Sequence, residues 1–281
     1  MKVTALVENT RIQGMENLTA EHGLSLYVEH NGKHILFDTG ASGVFADNAI
    51  QLGIDIQSVD CVVLSHHHYD HGGGLRRFLQ LNQQAPIYLR GPMVSECYGK
   101  FLWFEKYVGI DQELLREHRD RFIFVNERTA IFPGVSILTE VGRVHPMPRG
   151  NRSIFVKENG KLELDNFSHE LVLVIEEADG LGVFTGCAHQ GVLNMVQAVT
   201  HAFPGIPIKA VFGGMHFMAM PPFNFMSGSK EEVAQIGKRL LEFPLSRVYT
   251  CHCTGSHAYP VLKGAMGEKL EYIGTGRSVS V

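Results

Sequence analysis

The first part of the chain is built from short apolar segments separated by turn residues, a pattern that predicts β-strands. Four strands are predicted, at residues 3–8, 24–29, 33–37 and 59–64. Asn31 and Gly32 form a two-residue hairpin signal between the second and third of these strands. A helix is predicted at residues 42–52, with Ser42 as its N-cap.

The last part of the chain alternates between strands and amphipathic helices. Strands are predicted at residues 171–175, 182–185, 208–212, 247–250 and 270–273. Val192, Met195 and Val199 fall on one face of a predicted helix. A second helix is predicted to begin after Ser229, which forms a capping box with Glu232. This pattern predicts an α/β fold, and because no linker-like stretch divides the chain, we predict a single domain spanning residues 1–281.

Residues 91–166 follow a less regular pattern. A helix is predicted at residues 111–119, and strands at 121–125 and 135–138. The segment 145–152 contains two prolines and two arginines and is predicted to be a loop. The planar guanidinium of an arginine in this loop could bind a phosphate or a carboxylate, although an ordinary solvated loop would have the same composition.

The composition excludes several classes of protein. A net charge of −4 gives no indication of a nucleic-acid surface, and no apolar run approaches the length of a membrane span. The apolar start is too short for a signal peptide, because Glu8 interrupts it. Five cysteines, an odd number, argue against a disulfide framework, so we predict a cytoplasmic protein with reduced thiols. The oligomeric state is not indicated.

The strongest chemical signal is a His-x-His-x-Asp-His motif that lies between a predicted strand and three glycines. Its members are His66, His68, Asp70 and His71. Residues two apart in an extended segment point the same way, so His66 and His68 can bind one ion, whereas His67 points elsewhere. The chain then turns, which lets Asp70 and His71 face a second ion. We expect the glycines to let the backbone approach the ions without an interposed Cβ.

Other segments at predicted strand ends carry similar residues. They are Phe37-Asp38-Thr39-Gly40, Phe184-Thr185-Gly186-Cys187-Ala188-His189, Gly213-Gly214-Met215-His216 and Cys251-His252-Cys253-Thr254-Gly255. With the histidine motif, they resemble the metallo-β-lactamase superfamily, and within it the metal-dependent hydrolases grouped with the dihydropterin–ribofuranosylaminobenzene phosphate synthase of methanopterin biosynthesis. The resemblance implies a four-layer αββα sandwich and two divalent metal ions. Imidazole and carboxylate ligands favour zinc, with iron and manganese as alternatives.

The resemblance also implies the ligands of the two ions. His66, His68 and His189 are assigned to the first ion, and Asp70, His71 and His252 to the second. His169, just before the strand at 171–175, is a rival to His189.

Several further residues are given supporting roles by the same resemblance and by their places at strand ends. Asp38 matches an aspartate that orients a metal-bound histidine or the turn. Cys187 stands where more distant members carry an aspartate ligand, so it is either a ligand or a packed thiol. We predict that His216 contacts the substrate or transfers a proton. Cys251 and Cys253 flank His252 and are expected to point away from it, into the core.

Two ions that share a bridging water would generate a hydroxide nucleophile, which Asp70 would orient. We therefore predict hydrolysis of a small anionic ester, lactone or phosphoester by a metal-bound hydroxide. An alternative is a transferase that condenses a dihydropterin diphosphate with an aminobenzene ribotide phosphate, in which the Phe- and Met-rich segment 217–226 would cover a flat ring. A flavodiiron-type oxidoreductase is less favoured, because such proteins typically carry Glu where His68 stands. A non-catalytic ligand-binding member of the fold is a further alternative.

Overall fold

The computed structural model describes residues 1–91, 95–101, 103–219 and 224–281. Residues 220–223, in the centre of the segment predicted to cover a flat ring, lie outside the described residues. The strands, in chain order, are β1 Lys2–Val7, β2 Ser25–His30, β3 Lys33–Phe37, β4 Cys61–Val63, β5 Ile87–Arg90, β6 Cys97–Phe101, β7 Phe104–Tyr107, β8 Phe122–Val125, β9 Thr129–Phe132, β10 Val135–Leu138, β11 Ile154–Glu158, β12 Lys161–Leu164, β13 Val172–Glu177, β14 Gly180–Gly186, β15 Ile208–Gly213, β16 Met218–Ala219, β17 Phe225–Met226, β18 Leu245–Thr250, β19 Leu270–Tyr272 and β20 Ser278–Ser280. The α-helices are α1 Val44–Gln51, α2 Tyr69–Gly72, α3 Leu75–Leu81, α4 Gln112–Glu117, α5 Val192–Ala202, α6 Lys230–Leu240 and α7 Gly255–Met266.

The chain divides into two compact units. Unit 1 comprises residues 1–126, 153–169 and 274–281, and unit 2 comprises residues 127–152 and 170–273. The organisation of the chain as one domain stays a prediction.

Unit 1 contains a seven-stranded sheet in the order β20-β1-β2-β3-β4-β5-β8. Strands β3, β4, β5 and β8 run parallel, and the others are antiparallel. Phe45 of α1 and Phe78 of α3 pack with Leu36, Val62 and Ile87 of the sheet in one buried cluster. Strands β12-β11-β6-β7 form a further sheet of four strands, of which the sequence pattern gave no indication.

Unit 2 contains a seven-stranded sheet in the order β19-β18-β15-β14-β13-β10-β9. Strands β14, β15, β18 and β19 run parallel to one another, whereas β13, β10 and β9 extend the sheet with antiparallel pairing. The predicted capping box between Ser229 and Glu232 is confirmed at the start of α6. Each large sheet therefore has a parallel half and an antiparallel half. In the described residues, no helix has the length and apolar character required to cross a membrane.

The start of α1 differs from the prediction. The residue before its first turn is Gly43, so the assignment of Ser42 as N-cap is wrong. The Ser42 hydroxyl, one residue further out, donates to Glu21 Oε2 at 2.7 Å and accepts the Val44 N–H at 3.2 Å.

Candidate metal centre

Asp38 and Ser65 organise the carboxyl ends of β3 and β4 in unit 1. Phe37 and Val63 are paired in these parallel strands, so the residues that follow them emerge at the same edge. The Asp38 carboxylate accepts the Ser65 backbone N–H at 2.8 Å and the Ser65 hydroxyl at 2.8 Å. The same carboxylate lies 2.6 Å from Nδ1 of His71. This buried network holds the histidine motif against the strand that precedes it.

The network also fixes the tautomers of two histidines. Because Asp38 is an acceptor, Nδ1 of His71 carries the proton that lies between them. The Ser65 hydroxyl donates to Asp38, so it accepts the proton on Nδ1 of His66 at 2.8 Å. The lone pair of each ring is then on Nε2, as is usual for a histidine that binds a metal. The His66 and His71 ring centroids are 4.2 Å apart.

His68 is buried beside His66, and their ring centroids are 4.5 Å apart. Burial, followed by the nearby His169, lowers the pKa of His68 to about 3, so its imidazole is neutral. A neutral imidazole is the form that binds metals. His67 faces other groups, since its Nδ1 accepts the Ser95 N–H at 3.0 Å and its ring stacks on His169.

His169, the rival ligand, belongs to a buried cluster in unit 1. The donor atoms of His68, Cys97, Asp165 and His169 lie within 4.8 Å of one another. However, His169 Nδ1 accepts the His67 N–H at 3.2 Å, and its Nε2 lies 2.9 Å from Asp165 Oδ2. Burial raises the pKa of the Cys97 thiol, which keeps it protonated. Both ring nitrogens of His169 are thus engaged, which argues against it as a ligand.

Asp70 lies near a histidine that sequence reasoning missed. Its Oδ2 is 3.3 Å from Nε2 of His22, and its side chain retains 13% of its accessible surface. This partial exposure leaves the carboxylate able to reach an ion or a reactant.

The glycines after the motif pack closely against other parts of the chain. A Cβ on Gly73 would lie 2.2 Å from the carbonyl oxygen of Ala41, and one on Gly74 would lie 2.2 Å from that of Thr39. A Cβ on Gly72 would lie 2.3 Å from the Ile110 side chain. Close packing against protein atoms therefore requires these glycines.

The predicted residues of unit 2 also follow parallel strands. Cys187 and His189 follow β14, His216 follows β15, and His252 follows β18. Because these strands are parallel neighbours, their carboxyl ends share one edge of the sheet. The backbone there is strained, since Ala188, His216 and His252 have φ values of 54°, 48° and 49°.

His189 is held by two residues that sequence reasoning missed. Its Nδ1 lies 3.0 Å from the Asn151 side-chain oxygen, while the Asn151 amide donates to the His189 carbonyl at 2.7 Å. The tautomer of His189 therefore again has its lone pair on Nε2. The buried carboxylate of Glu170 accepts the His189 N–H at 2.8 Å and the Gln190 N–H at 2.7 Å. Both partners are distant in sequence, so no local motif indicates them.

His216 packs beside His189, with 4.0 Å between the ring centroids. Its Nδ1 is buried and has no hydrogen-bond partner among the described residues. A Cβ on Gly150 would lie 2.9 Å from the His216 ring, so the 145–152 loop packs directly on this imidazole.

Cys253 does not point away from His252, so that expectation was wrong. The donor atoms of Cys187, His252 and Cys253 lie within 4.8 Å of one another, as do those of Cys187, His189 and His216. Burial would raise the pKa of the Cys253 thiol, but hydrogen bonds with Cys187 and His216 and the positive potential of His252 bring that pKa well below its usual value. The left-handed backbone of His252 breaks the strand alternation on which the expectation depended.

A cavity of about 490 Å³ lies in unit 2 and is lined mainly by apolar side chains. Gly191 and Met215, which line it, are close in sequence to His189 and His216. Arg149, from the loop predicted to bind an anion, is also in its lining and forms an ion pair with Glu232.

These donors fit divalent ions in kind. Buried imidazoles, a partly exposed carboxylate and thiols are the ligands of zinc and of similar transition metals. The sequence-based division of His66, His68, Asp70, His71, His189 and His252 between two ions stays a prediction.

Comparison with known proteins gives consistent matches. The family model described as the metallo-β-lactamase superfamily matches residues 18–157. A 7,8-dihydropterin-6-methyl-4-(β-D-ribofuranosyl)-aminobenzene-5'-phosphate synthase from Methanocaldococcus jannaschii is 27% identical over 92% of this chain and 90% of its own length.

Solved structures agree with this. The crystal structure of Tm1679, described as a metal-dependent hydrolase of the β-lactamase superfamily, is 31% identical, with a TM-score of 0.82 over 100% of this chain and 99% of its own. The metallo-β-lactamase fold protein YhfI from Bacillus subtilis is 13% identical, with a TM-score of 0.59 over 99% of this chain and 98% of its own. The predicted fold class and the resemblance stated from the motifs are confirmed.

Proposed function

Because this chain belongs to the metallo-β-lactamase superfamily, we propose that it is a metal-dependent hydrolase of small anionic esters, lactones or phosphoesters. The observation that carries this proposal is the arrangement of His66 and His71 on the Asp38–Ser65 network. Nδ1 of each ring is tied to this network, which places the lone pair of each ring on Nε2. Such preorganisation of imidazoles is characteristic of metal sites rather than of packed core histidines. The similarity to Tm1679, described as a metal-dependent hydrolase, supports the same reaction class.

The histidine motif of unit 1 would hold metal, and the donors at the strand ends of unit 2 offer ligands of the same kind within that unit. When bound, divalent ions supply a water of lowered pKa and polarise the attacked carbonyl or phosphoryl oxygen. Asp38 and Ser65 keep the imidazoles in place throughout the reaction. Asp70, which is partly exposed, would accept a hydrogen bond from the attacking water and orient it.

His216 would contact the substrate or pass a proton to the leaving group. Its buried Nδ1 lacks a partner among the described residues, and its ring contacts that of His189. The adjoining cavity would accommodate the apolar part of the substrate, and Arg149 would attract its anionic group.

The test measures metal per chain and then the hydrolysis of a generic phosphodiester, a lactone and a thioester, with and without a chelator. We expect at least one activity that is lost on chelation and returns with zinc, iron or manganese. Activity that survives complete removal of metal would overturn the proposal, and zero metal uptake would favour a non-catalytic binding protein. His189→Ala should abolish the activity, whereas His201→Ala, at an exposed position of α5, should leave it unchanged.

A transferase is the second candidate, and the M. jannaschii relative favours it. That relative is named as a synthase and aligns with nearly the whole chain. The reaction would condense a dihydropterin diphosphate with an aminobenzene ribotide phosphate and release diphosphate. Incubation of the metal-loaded protein with both compounds decides between the candidates, since only the transferase yields the condensed product.

A further inference from the structure

The thiols at the strand ends of unit 2 extend the set of donors beyond imidazole and carboxylate. Cys187 follows β14, and His252 and Cys253 follow β18, so three donors from two strands meet at one edge. Their donor atoms lie within 4.8 Å of one another. All three side chains are nearly inaccessible to solvent, with exposures of 2% for Cys187, 1% for His252 and 3% for Cys253.

The backbone directs Cys253 into this cluster. His252 adopts a φ of 49°, and the chain therefore turns sharply between the strand and α7. A Cβ on Gly214 would lie 2.3 Å from the Cys253 sulfur, so the neighbouring turn can approach only because it has no side chain there. The close fit keeps the sulfur in one position.

The hydrogen bonds of Cys253 suit a metal-bound sulfur. The His216 backbone N–H donates to the Cys253 sulfur at 3.3 Å. The Cys253 thiol proton points to the Cys187 carbonyl oxygen at 3.5 Å. A sulfur that accepts a backbone N–H retains this stabilisation after it loses its proton, as the sulfurs of metal clusters do.

From this geometry we infer that Cys187, His252 and Cys253 form a thiolate-rich ion position in unit 2, which selects zinc or a similarly thiophilic ion over magnesium or manganese. The inference rests on the proposed metal dependence. Two sulfurs and one imidazole would supply three ligands, the number that catalytic zinc sites usually take from the protein.

The test titrates the metal-free full-length chain with Co²⁺, whose bonds to thiolates give an intense near-ultraviolet charge-transfer band. We expect this band in the wild type and in Cys61→Ala, which removes a buried thiol in β4 of unit 1. We expect the band to be lost or strongly reduced in Cys187→Ser and Cys253→Ser. X-ray absorption of the zinc-loaded wild type, which should show sulfur at about 2.3 Å from the metal, checks the thiolate ligands without any substitution that could unfold the chain.

The outcomes separate the inference from the function proposed above. If Co²⁺ binds with only weak visible bands and no charge-transfer band, the thiols are not ligands and the inference fails, while metal dependence stands. Equal affinity for Mn²⁺ and Zn²⁺ would overturn it as well. If no ion binds at all, the proposed function fails with it.

Discussion

The Nδ1 atom of His71 lies 2.6 Å from Oδ2 of Asp38, and both side chains are completely buried. Asp38 thereby connects a predicted metal ligand to the end of β3. Replacing Asp38 with Asn removes the charge and offers only one acceptor atom to Ser65 and His71. We expect zinc affinity to fall about ten- to a hundredfold and stability to fall by about 1–3 kcal/mol. Competition with a chelating dye and chemical unfolding measure the two effects.

Asp60→Asn is the matched control for this substitution. Asp60 accepts the His34 N–H at 2.8 Å and pairs with Lys33, also in β3, but it has no contact with the histidine motif in the described structure. Its loss should weaken stability slightly and leave zinc affinity unchanged. Equal affinity in Asp38→Asn and the wild type would contradict the role given to Asp38.

Asn151 should influence metal binding through His189. Asn151→Ala removes the acceptor for His189 Nδ1 and the donor to its carbonyl, so we expect zinc affinity to fall about ten- to a hundredfold. Asn151→Asp retains the acceptor for Nδ1 but loses the donor to the His189 carbonyl, so it should recover only part of this loss. Asn82→Ala, which removes another buried amide bonded to backbone carbonyls, should lower stability without a change in affinity. Equal effects of the Asn151 and Asn82 substitutions on affinity would contradict the assignment.

The same substitution at two glycines should have opposite effects on stability. In Gly73→Ala the new Cβ would meet the Ala41 carbonyl oxygen at 2.2 Å, so we expect a loss of about 1–3 kcal/mol. Gly264 lies within α7, and a Cβ added there would have no atom within 4 Å. Gly264→Ala should therefore raise the free energy of unfolding by about 0.5–1 kcal/mol. Thermal and chemical unfolding measure both effects. A Gly73→Ala protein as stable as the wild type would contradict the close contact between Gly73 and Ala41.

The buried pair of Asp165 and His169 should give stability a pH dependence. Burial alone would raise the pKa of Asp165, but its hydrogen bond with His169 lowers that pKa below its usual value. Above the pKa of an aspartate in the unfolded chain, about 3.9, the ionised Asp165 contributes its full stabilisation to the fold. This stabilisation is lost as the pH falls through the lower pKa that Asp165 has in the folded protein.

Asp165→Asn should lower the free energy of unfolding by about 1–3 kcal/mol at neutral pH. In the metal-free protein it should also flatten the acid limb of the plot of unfolding free energy against pH. Asp179→Asn, at an exposed ion pair with Lys209, should change the curve little. An unchanged acid limb in Asp165→Asn would contradict the assignment.

The sequence identified the strands that position the site, because buried parallel strands appear as continuous apolar runs. Candidate ligands at the ends of those strands, such as His66, His189 and His252, can be identified from the sequence. The sheet formed by β6, β7, β11 and β12 was missed because most side chains of β7 and β12 are exposed and show no alternation. Partners that come from distant parts of the chain, such as Asn151 and Glu170 around His189, leave no signal in a single sequence.

Cys253 shows a second reason why the sequence alone did not predict the site completely. The alternation that correctly separates His67 from His66 and His68 holds only while the backbone is extended. At His252 the backbone enters the left-handed region, and the side chain that follows is redirected toward Cys187. A single φ angle thus changes which residues belong to the site.

The left-handed backbone at Asp38, Ala188, His216 and His252 lowers the stability of the fold at four positions, three of which carry candidate functional side chains. Glycine would relieve about 1–2 kcal/mol at each of these positions. At Ala188 the exchange would sacrifice no reactive group, whereas at the other three it would delete a carboxylate or an imidazole. A variant engineered for thermal stability at these three positions would therefore lose the side chains to which the proposed chemistry is assigned.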